Sequence, residues 1–256
     1  MRRVEQVWGT AISVDVVDDV ESSTVDALYQ WFDHVDELFS TWRDDSEISR
    51  LGRHELELAD ASCDVRTVLQ LCDDMRAASG GAFDITFGAR ARIAPRPGFG
   101  PLDPSGLVKG WAVERAAGML VAAGVRGFCI NAGGDVLVRG RGSVQNAWRI
   151  GIQHPWQRDK LAAVVSVVDG AVATSGRYER GDHVIDPRTG LPAHGLASVT
   201  VVGCDLAIAD AYATAATALG SDGMPWLAQQ PDVEAMGITD EHRVVSTPGF
   251  DEYRAS

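Results

Sequence analysis

The sequence predicts an α+β fold, with a mostly antiparallel sheet and flanking helices. Amphipathic helical patterns dominate the first half of the chain, short β-rich segments dominate residues 127–202, and an alanine-rich helical segment follows them. Regular alternation of strands and helices, which would indicate a parallel sheet, is missing from the pattern. With 256 residues, of which 45% are hydrophobic, we expect a single compact domain over residues 1–256.

One strand and three helices are expected before residue 124. The strand segment alternates with period two, whereas the helices place apolar residues three and four positions apart. Capping residues bound the helices, with Ser22-Ser23-Thr24 before the first and Gly80-Gly81 after the second. Residues 40–51 and the Pro- and Gly-rich residues 90–106 are interpreted as loops inside the domain. The strand is expected over residues 10–17, and the helices over residues 25–39, 64–78 and 107–123.

The second half of the chain is predicted to be mostly strands. Its β-branched runs are short and are separated by glycine and polar residues, as in antiparallel sheets. Strands are expected at residues 127–130, 136–138, 148–152, 161–168, 172–173, 197–202, 234–238 and 243–246. Helices are expected at about residues 205–219 and 224–230.

Charge and motif content exclude several classes of function. The chain has 23 Lys and Arg against 36 Asp and Glu, a net charge of −13, which gives no electrostatic reason to bind nucleic acid or an anionic membrane. We therefore expect no nucleic-acid partner and no stable membrane insertion. No apolar signal core follows Met1, so a cytoplasmic location is expected. The common dinucleotide, Walker, zinc-protease and serine-hydrolase motifs are missing from the sequence.

Lys109 lies between two glycines, Gly106 and Gly110, at the predicted start of a helix. Backbone amides and the helix dipole favour anions at such a position, so the lysine could meet a phosphate there. A capped helix with an exposed lysine explains the same residues equally well.

Asn131-Ala132-Gly133-Gly134-Asp135 directly follows a predicted strand. Two glycines allow a ligand to approach the backbone closely, and Asp135 could accept hydrogen bonds from a ribose or a flavin amide. A plain hairpin turn is the alternative, and it is favoured when this segment is taken alone.

Residues 173–190 gather hydroxyl groups, a histidine, an aspartate and arginines. The sequence Asp186-Pro187-Arg188-Thr189-Gly190 is itself a strong turn signal. A turn, however, requires neither His183 three residues before it nor the hydroxyl groups of Thr174 and Ser175. We therefore interpret this segment as part of a functional site.

Asp210 and Thr214 are four residues apart on the predicted alanine-rich helix, so their oxygens lie on one face. A carboxylate and a hydroxyl are hard oxygen ligands of the kind that Mg²⁺ prefers. Alternatively, Asp210 sits near the helix start for electrostatic reasons and Thr214 bonds back to the helix.

Together and in this order, these segments resemble the ApbE family of FAD:protein FMN transferases. The resemblance covers roughly residues 8–220. The motifs that carry it are Trp8-Gly9-Thr10, Phe39-Ser40-Thr41-Trp42, Ser46-Glu47-Ile48-Ser49, Gly81-Ala82-Phe83-Asp84-Ile85-Thr86, Lys109-Gly110, Asn131-Ala132-Gly133-Gly134-Asp135, Thr174-Ser175-Gly176, His183-Val184-Ile185-Asp186-Pro187-Arg188-Thr189-Gly190 and Asp210-Ala211-Tyr212-Ala213-Thr214-Ala215.

The resemblance implies an ApbE-like domain and a Mg²⁺-dependent activity. Such enzymes cleave FAD at the pyrophosphate, release AMP and place FMN on a threonine hydroxyl of a target protein. The implied partners are therefore FAD, as substrate, and an acceptor protein that carries the modified threonine. Two alternatives stay open: an FAD pyrophosphatase that yields FMN and AMP, and a non-catalytic FAD-binding protein.

The resemblance also implies roles for individual residues. The implied metal ligands are Asp210, Thr214 and the backbone carbonyl of Val108. The implied FAD contacts are Trp42, Lys109, Asp135, Thr174, Ser175 and His183. The implied groups at the reacting centre are His183 as base, Asp186 as an orienting or alternative partner, and Lys109 beside the phosphates.

Overall fold

The computed structural model describes residues 1–87, 102–142, 147–176 and 184–255. It confirms the predicted α+β class. The helices are α1 (Ser22–Phe39), α2 (Glu47–Gly52), α3 (Cys63–Ala78), α4 (Ser105–Ala122), α5 (Leu206–Leu219) and α6 (Gly223–Leu227). The strands are β1 (Arg2–Val7), β2 (Thr10–Val16), β3 (Phe128–Ala132), β4 (Asp135–Arg139), β5 (Trp148–His154), β6 (Gln157–Val167), β7 (Gly170–Gly176), β8 (Ile185–Asp186), β9 (Leu191–Pro192), β10 (Leu196–Gly203), β11 (Val233–Thr239) and β12 (Val244–Ser246).

Within the described part of the chain, eight strands form one sheet in the order β1-β2-β3-β4-β7-β10-β11-β12. Every neighbouring pair in this sheet is antiparallel. Strands β5 and β6 pair separately, as do β8 and β9. All eight residues of β10 are buried, because this strand lies inside the sheet and both of its faces are covered.

Two apolar cores lie on opposite faces of the sheet. In β4, Leu137 packs into the core beneath the helices, whereas Val136 and Val138 pack into the core beneath β5 and β6. This alternation follows from the period of two along a strand. The molecule therefore has three layers: helices, the main sheet, and the hairpin of β5 and β6.

Close packing of α4 against α5 shapes the region that matters for function. A Cβ atom on Gly110 would lie 2.5 Å from the carbonyl oxygen of Leu206, and one on Gly106 would lie 3.2 Å from the Thr214 hydroxyl oxygen. Glycine at these two positions lets the backbones approach. The first turns of α4 therefore run alongside the α5 segment between Leu206 and Thr214, which includes Asp210.

Four sequence expectations need correction. The predicted cap Ser22-Ser23-Thr24 forms the first turn of α1 instead, and the N-cap is Glu21 without a side-chain hydrogen bond. Strand β1 was not expected, because its polar alternation fits a partly exposed edge strand that only pairing with β2 reveals. The predicted loop at residues 40–51 contains α2, whose Ser46 hydroxyl accepts a hydrogen bond from the Ser49 amide at 3.1 Å. Most of the predicted loop at residues 90–106 lies outside the described residues, and its last two residues begin α4.

Among the described residues, every helix is too short or too polar to traverse a lipid bilayer.

Candidate functional site

Five predicted site residues form a continuous set of contacts where α4, α5, β4 and β7 meet. Lys109 from α4 forms an ion pair with Asp135 from β4. Asp135 accepts a hydrogen bond from the backbone amide of Thr174 in β7, and the hydroxyl of the next residue, Ser175, lies 3.2 Å from that of Thr214 in α5. Residues separated by up to about a hundred positions in sequence are thus brought together.

The segment Asn131–Asp135 contains the hairpin turn between β3 and β4, which was the alternative interpretation of its sequence. Ala132 pairs with Asp135 across the turn, and Gly133 and Gly134 have φ of +63° and +106°. A Cβ atom on Gly133 would also lie 2.5 Å from the Thr10 hydroxyl oxygen. The turn geometry therefore requires these glycines. The same turn places Asp135 in contact with Lys109 and Thr174. The interpretation as a hairpin turn and the interpretation as part of a functional site are therefore compatible.

Asp135 is a buried carboxylate with both oxygens engaged. The residue is 1% exposed, its Oδ1 accepts the Thr174 amide hydrogen at 2.9 Å, and its Oδ2 faces the Lys109 ammonium. The Lys109 side chain is 30% exposed. The positive charge therefore lies at the boundary between protein and solvent, within reach of an anionic ligand.

Thr174 and Ser175 present their hydroxyl groups on opposite faces of the sheet. The Thr174 hydroxyl lies 2.9 Å from that of Thr200, its cross-strand neighbour in β10. Ser175, by contrast, faces α5 through its contact with Thr214. Alternation along β7 explains the difference. The structure thus places the hydroxyl of Ser175, and the backbone rather than the hydroxyl of Thr174, with the other site residues.

The side-chain oxygens of Asp210, Thr214 and Ser175 are of the kind that bind a hard cation. Asp210 is 4% exposed, and Thr214 lies one helical turn further on with the Ser175 hydroxyl next to it. Carboxylate and hydroxyl oxygens suit Mg²⁺, which keeps substrate or water oxygens in its other positions. No group of three His, Cys, Asp or Glu side chains suited to a metal occurs within the described ranges. A cation here would therefore depend on hydroxyl, backbone and substrate oxygens besides Asp210.

The structure places Gly106 of α4 against Thr214 of α5. Gly106 and Gly110 occupy the face of α4 that packs on α5. The Val108 side chain joins the apolar core, and the role expected of its backbone carbonyl stays a prediction. Sequence reasoning named Gly106 as a neighbour of Lys109 but did not assign it to the contact with α5. The signal that could have found it is the four-residue spacing of two glycines, which indicates close helix contact.

Asp186 lies in the predicted turn and is held by Arg188. The carboxylate accepts hydrogen bonds from the Arg188 amide at 2.9 Å and from its guanidinium at 2.9 and 2.8 Å. This guanidinium holds the pKa of Asp186 below its ordinary value. A carboxylate of low pKa with three donors is a poor proton acceptor, so this geometry favours an orienting role. His183 lies outside the described residues.

Two further motifs lie outside the contacts described above. A Cβ atom on Gly81 would contact Arg188 at 3.8 Å, which places the Gly81–Thr86 segment beside the Asp186 turn. Within that segment, Asp84 accepts hydrogen bonds from Arg76 and from the amide of Thr86, both at 2.9 Å. Trp42 is 78% exposed, so its ring presents an aromatic surface to solvent. The described contacts do not connect Trp42 with Lys109.

Comparison with known proteins identifies relatives that match most of the chain. The model of the ApbE family matches residues 8–100 and 95–237. A FAD:protein FMN transferase of Vibrio cholerae is 26% identical over 88% of this chain and 80% of its own length. A FAD:protein FMN transferase of Rhodobacter capsulatus is 39% identical, and the match covers 57% of this chain but only 30% of that protein.

Solved structures share the fold. The flavin transferase ApbE from Vibrio cholerae has a TM-score of 0.85 at 23% identity, covering 99% of this chain and 98% of its own. The ApbE protein from Thermotoga maritima has a TM-score of 0.87 at 21% identity, covering 100% of this chain and 99% of its own. At these identities the likeness establishes a common architecture.

Proposed function

The chain belongs to the ApbE family, and on that premise we propose that it transfers FMN from FAD to a threonine hydroxyl of a target protein, with Mg²⁺ required and AMP released. The observation that carries this proposal is the contact set of Lys109, Asp135, Ser175 and Thr214 beside Asp210. It combines one cation with several hard oxygen donors, which is the chemistry that a pyrophosphate substrate needs.

Lys109 supplies a positive charge for the substrate phosphates. The chain as a whole carries a net charge of −13 and repels a dianionic substrate at long range, so binding must depend on charges placed locally. Lys109 is partly exposed, and its position in the second turn of α4 brings it near the amino-terminal end of the helix dipole. Both features favour an anion at this position.

Asp210 and Thr214 are the residues that would hold Mg²⁺, together with a backbone carbonyl of α4, for which Val108 is the candidate. Gly106 of the same helix adjoins Thr214. The chemistry that the ion supplies when bound is neutralisation of negative charge on the pyrophosphate oxygens. Burial of Asp210 strengthens this ligand, since a carboxylate removed from water interacts more strongly with a cation.

In the proposed reaction, the acceptor's threonine oxygen forms a bond to the phosphorus of the FMN half of FAD. The bond from that phosphorus to the bridging oxygen breaks, and AMP leaves with the electron pair. The hydroxyl proton passes to a base, for which His183 is the candidate, while Asp186 orients its turn. Positioning contributes much of the acceleration in phosphoryl transfer, because a hydroxyl is a weak nucleophile.

One incubation separates the transferase from the two alternative functions. The protein is mixed with FAD, Mg²⁺ and a candidate acceptor domain, with the acceptor's Thr→Ala variant as control, and AMP, free FMN and acceptor mass are measured. Transfer predicts AMP together with flavin mass on the threonine-bearing acceptor only. AMP with free FMN alone would indicate a pyrophosphatase, and FAD binding without AMP would indicate a non-catalytic binding protein.

A further inference from the structure

We propose that Asp135 is a positioning residue that fixes the Lys109 ammonium for the substrate phosphates and does not itself contact FAD. This inference rests on the proposed function only in assigning a phosphate to Lys109. It replaces the expectation from sequence that Asp135 bonds a ribose or a flavin amide.

The contacts of Asp135 leave its carboxylate no surface to offer a substrate. The residue is 1% exposed, Oδ1 accepts from the Thr174 amide at 2.9 Å, and Oδ2 faces the Lys109 ammonium. A ligand that reached this carboxylate would have to displace the lysine from it. That exchange would leave a buried carboxylate without its cation, which is strongly unfavourable.

The backbone of the sheet holds Asp135 in place. The ladder between β4 and β7 begins at the pair Val136 and Val172. Beyond this end of the ladder, the Thr174 amide donates to the Asp135 side chain instead of to a backbone carbonyl. Asp135 is itself part of β4, and its carboxylate is hydrogen-bonded to β7. Both strands therefore fix its position.

A fixed carboxylate restricts a flexible cation. The lysine side chain has four rotatable carbon–carbon bonds, and ordering it when a ligand binds costs conformational free energy. The ion pair with Asp135 orders the ammonium before the substrate arrives, which is how a supporting residue increases affinity without touching the ligand.

A double-mutant cycle tests the proposal by FAD affinity. Asp135→Asn keeps the shape and an acceptor for the Thr174 amide but removes the charge, and Lys109→Met removes the ammonium. Affinity is measured by flavin-fluorescence titration without a divalent cation, so that no turnover interferes. We expect each single variant to bind FAD about 10- to 100-fold more weakly, the range for one charge-assisted contact. The double variant should bind no more weakly than Lys109→Met.

The same four proteins give a second measurement, of thermal unfolding without FAD. Lys109→Met leaves the Asp135 carboxylate buried without its cation and should lower Tm. Adding Asp135→Asn to that variant should raise Tm again, because the uncompensated charge is removed. If Asp135 and Lys109 stabilised the fold independently of each other, the two losses of Tm would instead add.

Asp18→Asn is the matched control. This carboxylate also accepts backbone amide bonds, from Arg126 and Gly127 at 2.6 and 2.8 Å, but it lies at the far end of β3. FAD affinity should be unchanged in this variant. If Asp135→Asn binds FAD as well as the parent protein, or if it weakens binding further in the Lys109→Met background, the positioning role is refuted. A parent protein that binds no FAD would instead refute the proposed function, while the Tm cycle would still report on the pair.

Discussion

Asp210 and Asp205 offer a direct comparison between two carboxylates on the same helix. Asp210 is buried beside Thr214, whereas Asp205 caps α5 by accepting the Ile208 amide hydrogen at 3.0 Å. Asp210→Asn removes the charged ligand proposed for Mg²⁺, so AMP release should fall by about two orders of magnitude or more.

Asp205→Asn should change that rate little, because asparagine caps a helix as well as aspartate does. Tm of both variants shows that the fold survives. An Asp210→Asn protein that releases AMP at the parent rate would remove the metal assignment.

The pH dependence distinguishes His183 from Asp186. Arg188 keeps the pKa of Asp186 below its ordinary value, so Asp186 stays ionised throughout the range in which an imidazole titrates. If His183 is the base, the single-turnover rate should fall as the pH drops below about 6.5, the ordinary imidazole pKa, because protonated histidine accepts no proton.

His183→Asn should remove this acid limb and lower the rate roughly 10²- to 10⁴-fold. Asp186→Asn should keep the limb, whatever its effect on the rate. A His183→Asn protein with the parent rate and the parent acid limb would make the histidine a structural residue.

The sequence predicted which residues form the site better than it predicted the direction in which their side chains point. It grouped Lys109, Asp135, Ser175 and Thr214, and the structure brings them into contact. It did not foresee that the carboxylate of Asp135 would be buried, or that the Thr174 hydroxyl would face Thr200 instead of the other site residues. Both depend on which face of a strand or helix meets a neighbour distant in sequence, and residue type alone does not determine that.

The contact between α4 and α5 depends on Gly110. Its missing Cβ atom would lie 2.5 Å from the Leu206 carbonyl oxygen, so Gly110→Ala must push the helices apart. We expect a loss of about 1–3 kcal/mol in the free energy of unfolding, together with weaker activity.

Gly118 provides the control, since it is exposed on the same helix and a Cβ atom there meets nothing within 4 Å. Gly118→Ala should raise the free energy of unfolding by about 1 kcal/mol through helix propensity. Urea unfolding measures both variants. Equal effects of the two substitutions would contradict the close packing of α4 on α5.

Among the secondary-structure elements, local sequence patterns predicted those helices and strands that bury one face in the core. The amphipathic α1 and α3 and the alanine-rich α5 lie close to their predicted positions. Strand β1 and the six-residue α2 were missed, because a polar edge strand and a single short helix bury too few residues to show periodicity. Their existence depends on pairing and capping partners.

In the whole molecule, the described site residues meet on the face of the main sheet that the helices cover. Since β10 is buried on both faces and β7 pairs with it, the strand that carries Thr174 and Ser175 has little freedom to move. Small residues on α5 allow this helix to lie close to β7 and β10, which brings Asp210 and Thr214 to the sheet. The architecture thus supplies the preorganisation that phosphoryl transfer requires.

A site built for the pyrophosphate should distinguish FAD from FMN. FAD offers both phosphates and the adenylate half to the protein, whereas FMN offers one phosphate. We expect FAD to bind more tightly than FMN when both are titrated without a divalent cation. Raising the salt concentration should weaken FAD binding, because attraction to the Lys109 charge at the surface is screened. Equal affinities for the two flavins would contradict an FAD-specific site.

The central claim is that this chain moves FMN from FAD onto a protein threonine. The most direct measurement is a single-turnover reaction in which AMP and flavin-bearing acceptor are quantified in the same quenched samples, with the Asp210→Asn protein run in parallel. We predict that the two products appear in equal amounts and at the same rate with the parent protein, and that neither appears on that timescale with Asp210→Asn. AMP accompanied only by free FMN, or FAD that stays bound and intact in the presence of Mg²⁺ and acceptor, would contradict the claim.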